Sequence, residues 1–281
     1  NGCSYDTSEV IITVHPEPEF TLVAEAPSFC EGEDASFTVQ ATSPGAIDWD
    51  FGDGGVDSGL NVEYVFDQSG NYVVEATVLS NLWGCVGTES IDVEVYPTPV
   101  LNIESDVING CSPLEVSFIN QSTDSDFWTW DFGDQTANEV ISDPTHIFTN
   151  NTYEQQTYVV NYNALTLNGC SSSGSLTIDV LPEPIAAFEI DDVLLCGLPS
   201  FINLTNTSDG SQAYDWTFNG QNEGGQFEPV FEASYYGDHV VELIATNTFG
   251  CTSYDINTVS VHEYPTPQIM FSPSEGCEPL Q

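Results

Sequence analysis

The segment Trp49-Asp50-Phe51-Gly52-Asp53 decides the fold, because it occurs three times along the chain. It returns as Trp130-Asp131-Phe132-Gly133-Asp134 and, less faithfully, as Trp216-Thr217-Phe218-Asn219-Gly220. The three tryptophans are about 81 and about 86 residues apart, and a period of this size is typical of an array of similar units. The chain is therefore expected to consist of repeated domains.

A pair of prolines precedes each unit and marks its boundary. The pairs are Pro16/Pro18, Pro97/Pro99, Pro182/Pro184 and Pro265/Pro267. Proline lacks a backbone N–H and cannot continue a strand ladder. These boundaries predict three complete units at residues 18–97, 98–181 and 182–264. Residues 1–15 resemble the end of a preceding unit and residues 265–281 the start of a following one, so we expect the sequence to belong to a longer array.

The composition is extreme in charge but ordinary in hydrophobicity. The 281 residues include 44 Asp and Glu and no Lys or Arg, which gives a formal net charge of -44. Nucleic acids and anionic membranes repel such a protein. Hydrophobic residues make up 40% of the chain, enough for folded cores, yet no apolar run approaches the roughly 18 residues that span a bilayer. We therefore expect folded acidic domains that bind no nucleic acid and insert into no membrane.

Apolar and polar residues alternate in short runs within each unit. Examples in the first unit are residues 36–40, 47–51, 72–78 and 91–95. Alternation puts one face of a strand against a core and the other face in water. Six to eight such strands per unit, separated by Gly, Asn, Asp and Pro, predict an all-β chain of antiparallel β-sandwiches.

These motifs resemble the polycystic kidney disease (PKD) domain family. The resemblance is carried by the Trp-Asp-Phe-Gly-Asp-Gly segment at residues 49–54, the Gly-x-Tyr-x-Val strand at 70–74 and the Asn-Gly-Cys turn at 168–170. It implies tandem immunoglobulin-like sandwiches arranged end to end, as in large Bacteroidetes cell-surface and gliding-associated adhesin-like proteins. The third unit departs from the pattern, with Asn219 in place of the second acid and His239 in place of the tyrosine.

We expect the hallmark residues to build the core and a turn. In this interpretation the Trp and Phe side chains point inward, while the second acid caps the turn with its own side chain. The residues concerned are Trp49, Phe51, Asp53, Trp130, Phe132, Asp134, Trp216 and Phe218.

A calcium site is the alternative interpretation of the hallmark. Its candidate ligands are Asp48, Asp50, Asp53 and Asp57. A dedicated calcium loop needs oxygen ligands at fixed steps, but unit 2 has Thr129 at the first of these positions. We therefore predict no cofactor, with calcium or other divalent cations bound at most diffusely.

Eight cysteines form two series with the same period as the units. Cys30, Cys111, Cys196 and Cys277 follow the proline pairs, and Cys3, Cys85, Cys170 and Cys251 lie near the ends of units. Cysteines in such a repetitive chain predict disulfides. Pairing within a unit, such as Cys30 with Cys85, is the obvious possibility.

The implied immunoglobulin-like topology argues against pairing within a unit. The first turn and the turn before the last strand lie at opposite poles, roughly 26 Å apart, whereas bonded cysteines need Cα atoms within about 7 Å. Short linkers instead bring the C-terminal pole of one unit against the N-terminal pole of the next. We therefore predict that Cys30 pairs with Cys170 and Cys111 with Cys251. The others, Cys3, Cys85, Cys196 and Cys277, are expected to pair with units outside this sequence.

The sequence predicts no enzyme. It has no nucleophile elbow and no convincing Cys-His dyad, and its four histidines are far apart. We expect an extracellular or cell-surface structural segment of a large bacterial protein, acting as a stalk, adhesin or filament stiffened by disulfides. Its expected partners are the neighbouring repeats, other copies paired laterally through edge strands, and a glycan or other surface ligand.

The alternative function is an accessory array of a secreted multidomain hydrolase that binds polysaccharide or collagen. Aromatic side chains that could stack on sugar rings would then form the binding surface. The candidates are Trp83, Trp128, Tyr235 and Tyr236.

Overall fold

The computed structural model describes residues 10–42, 44–192 and 194–269. These residues form 23 β-strands and include no helix long and apolar enough to cross a membrane. Residues 10–19 form no strand, and Val10, Ile11, Ile12 and Val14 are exposed. Cys3, Cys277 and the outer parts of both predicted end segments lie outside the described residues.

Unit 1 contains eight strands in two sheets. They are β1 (Phe20–Ala24), β2 (Ser28–Cys30), β3 (Asp34–Ala41), β4 (Pro44–Asp50), β5 (Val56–Ser58), β6 (Asn61–Val65), β7 (Gly70–Ser80) and β8 (Val86–Tyr96). One sheet has the order β1-β3-β6 and the other has the order β2-β8-β7-β4-β5. The apolar faces of the two sheets enclose one core.

Units 2 and 3 repeat this arrangement. Unit 2 contains β9 (Ile103–Ser105), β10 (Asn109–Cys111), β11 (Leu114–Asn120), β12 (Phe127–Asp131), β13 (Thr145–Phe148), β14 (Gln156–Leu165) and β15 (Ser171–Leu181). Unit 3 contains β16 (Phe188–Ile190), β17 (Leu194–Cys196), β18 (Ser200–Asn206), β19 (Ala213–Phe218), β20 (Gln221–Gly224), β21 (Val230–Ala233), β22 (Gly237–Thr246) and β23 (Thr252–His262). The sheet orders are β13-β11-β9 with β10-β15-β14-β12, and β16-β18-β21 with β17-β23-β22-β19-β20. The prediction of an all-β chain of tandem immunoglobulin-like sandwiches is thus confirmed.

One strand pair in each unit differs from the purely antiparallel sandwich that the sequence predicts. The short strands β2, β10 and β17 run parallel to the last strand of their own unit, β8, β15 and β23 respectively. Cys30 lies opposite Tyr96, and Cys111 lies opposite Leu181. Cys30 and Cys111 are therefore each held beside the last strand residue before the next linker.

The hallmark tryptophans occupy the centres of the three cores. Trp49, Trp130 and Trp216 are each at most 2% exposed. Each indole N–H donates to a backbone carbonyl of a neighbouring segment, at 2.9 Å to Gly59, 2.9 Å to Ile141 and 2.8 Å to Gln226. A buried indole needs such an acceptor, and strand alternation points these side chains inward.

Candidate functional site at the junctions between units

Two disulfides cross the junctions between consecutive units. Cys30 of unit 1 is bonded to Cys170 of unit 2, and Cys111 of unit 2 is bonded to Cys251 of unit 3. Their Cα atoms are 5.6 and 5.7 Å apart, and both bonds join residues separated by 140 positions. These are the inter-unit pairs expected from the positions of the turns.

The strand register explains why each cysteine meets a neighbouring unit. Cys111 lies beside Leu181 at the end of β15, whereas Cys170 comes immediately before the start of that strand. A strand of 11 residues is about 36 Å long. The two cysteines of unit 2 therefore lie at opposite poles, and each contacts a different neighbour.

A hydrogen-bonded turn positions the second cysteine of each pair. In unit 2, Thr166 N donates to Cys170 O at 2.8 Å, and Cys170 N donates to the Thr166 hydroxyl at 3.0 Å. In unit 3, Asn247 N donates to Cys251 O, and Cys251 N donates to the Asn247 side-chain oxygen, both at 3.0 Å. Cys170 and Cys251 are each 1% exposed, so the turns fix both sulfur atoms within packed surroundings.

The linkers are held against the units that follow them. Asn247 Nδ2 donates to the carbonyl oxygen of Pro182 at 2.7 Å, which ties the second linker to the turn before Cys251. Just after the linkers, Val100 pairs with Thr123 and Ile185 with Asp209 in isolated antiparallel bridges. Each linker thus leads directly into hydrogen-bonded structure, and little free chain separates the units.

The junction between units 2 and 3 also contains a non-covalent contact. The Tyr153 hydroxyl of unit 2 donates to Asp209 Oδ2 of unit 3 at 2.5 Å. Gly210 adopts a left-handed φ of 69°, and a Cβ there would lie 3.2 Å from the Tyr153 ring, so glycine allows the ring to approach. The hydrogen bond to the Asp209 carboxylate raises the pKa of Tyr153. Beside this contact, a cleft of about 270 Å³ lies between linker and turn residues such as Glu183 and Phe249.

The second acid of the hallmark has a structural role within units 1 and 2. Asp53 accepts from Gly55 N at 2.9 Å and from the Tyr64 hydroxyl at 2.9 Å, and the Tyr64 ring stacks on Phe51. Desolvation, together with the Asp53 carboxylate, raises the pKa of Tyr64 to about 12. Asp53 therefore caps its own turn and also holds an aromatic ring of the neighbouring strand.

Unit 2 uses histidine at the corresponding place. Asp134 Oδ2 lies 2.7 Å from His146 Nε2, and the His146 ring stacks on Phe132. Burial alone would raise the pKa of Asp134, but hydrogen bonds from Thr136 and His146 outweigh it and hold the pKa below its ordinary value. No repeated sequence pattern indicates this pair, because the ring that contacts the acid changes from Tyr64 in unit 1 to His146 in unit 2.

Unit 3 has no acid at this position, and the expectation that Asn219 replaces the second acid is wrong. Gly220 stands in the place of Asp53 and Asp134, whereas Asn219 has the left-handed φ of Gly52 and Gly133. Asn219 Nδ2 lies 2.9 Å from Nδ1 of His239, which is fully buried. The His239 ring lies parallel to Phe218, and its Nε2 contacts the backbone oxygen of Tyr235 at 3.0 Å. Units 1 and 2 thus place the second acid against a ring on β6 or β13, whereas unit 3 places Asn219 against a ring on β22.

The four calcium candidates do not converge on one point. Asp50 accepts from Gly52 N and Asp53 from Gly55 N, each at 2.9 Å, so both serve their own turn. Asp57 accepts from Ser58 N at 2.7 Å, and Asp48 lies opposite Ser58 on the neighbouring strand. In residues 10–42, 44–192 and 194–269, no three His, Cys, Asp or Glu side chains are grouped as metal ligands.

Two further cysteines occupy the same structural positions as the bonded ones. Cys85 precedes β8 as Cys170 precedes β15, and Cys196 ends β17 as Cys111 ends β10. Among the described residues neither forms a disulfide; Cys85 is half-buried and Cys196 is exposed. The Trp83 ring stacks on His15 at 3.9 Å next to Cys85.

The aromatic candidates for sugar binding do not share one surface feature. Trp83 is 56% exposed but has one face against His15. Trp128 is half-buried on β12, while Tyr235 packs against His239 of its own unit. The structure therefore distributes these rings over three units and does not bring them together.

The first unit matches a known domain family. Residues 15–95 match the PKD domain family. The PKD1 domain of the Vibrio cholerae metalloprotease PrtV is 26% identical over 30% of this chain and 98% of its own length, with a TM-score of 0.25. The PKD1 domain of Vibrio anguillarum Epp is 24% identical over 30% of this chain and 95% of its own length, with a TM-score of 0.25.

Several longer structures match most of the chain at low identity. Titin domains I67–I69 are 14% identical over 88% of this chain and 99% of their own length, with a TM-score of 0.43. No curated protein sequence is significantly similar to the chain.

Proposed function

We propose that this chain, an array of PKD domains, is a structural segment of a large bacterial surface protein that forms a stalk, adhesin or filament outside the cell. PKD and immunoglobulin-like repeats are typical of extracellular adhesion and structural proteins. The proposed segment performs no chemistry. Its function is to hold successive domains in a fixed series and so set the distance between whatever lies at its two ends.

The disulfides between units are the observation that carries this proposal. Small domains commonly use disulfides to stabilise themselves, but Cys30–Cys170 and Cys111–Cys251 leave each sandwich without an internal bond. Their effect falls on the orientation of one unit relative to the next. Because such bonds persist in oxidising surroundings, they favour an extracellular location.

The two free cysteines suggest that the series of disulfides between units continues at both ends. Since Cys85 and Cys196 occupy the positions of bonded cysteines, we propose that Cys85 pairs with a preceding unit and Cys196 with a following one. Cys3 and Cys277 would continue the two series. The absence of Lys and Arg leaves 44 acidic side chains without internal cationic partners other than histidine, so like-charge repulsion opposes collapse of the array and dissolved cations screen it.

Electron microscopy of the purified chain tests the stiffening role. We expect a narrow distribution of angles between units in the oxidised chain and a broad distribution after reduction. The double variant Cys30→Ser/Cys170→Ser should loosen only the first junction, while Cys111→Ser/Cys251→Ser should loosen only the second. Equal angular distributions in all samples would contradict the proposal.

Immunogold labelling of intact source cells tests the location. An antibody against unit 2 should label the outer surface, in positions extended away from the envelope. Label confined to the cell interior would contradict an extracellular structural role.

A further inference from the structure

The two disulfides change which residues connect one unit to the next. Each bond joins residues 140 positions apart, and each runs from the beginning of one unit to the end of the following unit. The covalent bonds therefore offer two routes from one linker to a later one: the whole backbone, or a shorter path that crosses at the disulfide and omits the middle of each sandwich.

The covalent path through the second disulfide is short. From Thr98 in one linker it follows residues 98–111, crosses to Cys251 and continues along residues 251–266. These two segments contain about 28 peptide steps, so their fully extended length is about 100 Å. The backbone between the same ends contains about 168 steps and would extend to about 580 Å. The disulfide thus limits the maximum distance between Thr98 and Thr266 to about one sixth of the length of the extended backbone.

Unit 2 contains two such paths side by side. The path through Cys30–Cys170 leaves unit 2 along β15, and the path through Cys111–Cys251 enters unit 2 along the segment that ends in β10. These two strands are hydrogen-bonded neighbours in parallel register, with Gly110 opposite Val180. A force that stretches the array therefore acts on β10 and β15, two adjacent strands that run in the same direction.

We propose that the disulfides form a tension bypass, in which pulling force passes through the first and last segments of each unit and not through the middle of the sandwich. In unit 2, residues 112–169 belong to neither path and include the core residues Trp130 and Phe132. These residues can unfold without lengthening the array. The bypass makes the array nearly inextensible, since 100 Å is little more than two strands of about 36 Å with their linkers.

The bypass deepens the proposed mechanical function and rests on it. A simple stiffener would prevent bending while the domains are folded. A bypass also acts after a domain has unfolded, because the limit on length is covalent. The array would then keep its span under forces that unravel ordinary tandem domains by tens of nanometres.

Single-molecule pulling tests this inference directly. DNA handles are attached through azide-bearing residues placed at Thr98 and Thr266, and the full chain is stretched in optical tweezers. We expect the oxidised chain to reach about 100 Å and then to resist further extension. After addition of a reductant, the same molecule should extend about sixfold further, to about 580 Å.

Two matched variants separate the bypass from general effects of cysteine loss. Cys111→Ser/Cys251→Ser should show the long extension without reductant. Cys30→Ser/Cys170→Ser should keep the short one, since the other disulfide alone limits this span. The measured limit depends on covalent connection and not on folding, so a destabilised variant still gives a valid result. Extension of the oxidised chain to several hundred ångströms would overturn the bypass.

Failure of the bypass can be distinguished from failure of the proposed function. A protein without surface label whose oxidised chain still stops near 100 Å would retain the bypass and lose the surface role. The opposite pair of results would retain the surface role and overturn the bypass.

Discussion

The interiors of the units and the junctions between them are built by different physical means. Each interior buries a tryptophan and the aromatic rings around it, and each of its contacts is made within one unit. The junctions are held by a disulfide each, with a hydrogen-bonded linker and, between units 2 and 3, the contact of Tyr153 with Asp209. Each unit is thus stabilised by its own core, whereas consecutive units are held together mainly by a disulfide.

The largest effect is expected from replacing the central tryptophan of one unit, which should destabilise that unit's core and leave the junctions intact. Trp130→Ala removes a fully buried side chain and leaves a cavity, so we expect unit 2 to lose about 3–5 kcal/mol of stability. Hydrogen exchange followed by mass spectrometry should show faster exchange across unit 2, with units 1 and 3 unchanged and the disulfides intact.

A neighbouring tryptophan supplies the control. Trp128 lies on the same strand, β12, but is only half-buried, and Trp128→Ala should cost no more than about 1 kcal/mol. If Trp130→Ala instead accelerated exchange in all three units, the three cores would not fold independently of one another.

The interiors were the more predictable of the two regions. Strand alternation and the repeated hallmark identified Trp49, Trp130 and Trp216 as core residues because both signals are local in sequence. The parallel strands β2, β10 and β17 were not predicted, since a strand of three residues is too short to show a period. Their partner is the last strand of the unit, and no local pattern indicates such a distant pairing.

Acidification should remove the stabilising contribution of Asp134 to unit 2. The folded pKa of Asp134 lies below its ordinary value of 3.8, so the unfolded chain binds more protons as the pH falls below about 4. The contribution of Asp134 to stability is therefore complete above that pH and is lost as the pH falls through the folded pKa. Urea unfolding of unit 2 between pH 6 and pH 3 should show this loss.

The variant Asp134→Asn should reduce the stability of unit 2 by about 1 kcal/mol at neutral pH and flatten its acid dependence. Glu115→Gln, at an exposed position on β11, is the matched control and should leave both unchanged. An unaltered acid profile in Asp134→Asn would show that the contact with His146 contributes no pH dependence.

The smallest effect is expected from the non-covalent contact at the second junction. Tyr153→Phe removes the hydroxyl that donates to Asp209. In the oxidised chain, distances between spin labels on units 2 and 3 should not change, because the disulfide fixes the junction. In the Cys111→Ser/Cys251→Ser background, the same substitution should broaden the distances. Broadening in the oxidised chain would mean that the hydroxyl contact matters as much as the covalent bond.

The junctions were predictable only through the topology of the whole unit. No local sequence pattern indicates that Cys30 pairs with Cys170, and Cys85 lies nearer to Cys30 in the sequence. The pairing followed from the positions of the two turns at opposite poles. The contacts of Tyr153 with Asp209 and of Asn247 with the Pro182 carbonyl could not be predicted in this way, because they depend on how two folded surfaces meet.

Disulfide mapping under non-reducing conditions tests the central claim most directly. The chain has no Lys or Arg, so trypsin cannot cut it, and a protease that cleaves after Glu and Asp releases the cysteine peptides for mass spectrometry. We predict peptides that join Cys30 to Cys170 and Cys111 to Cys251. Recovery of Cys30 joined to Cys85, or of Cys111 joined to Cys170, would show bonds within units and would contradict the account.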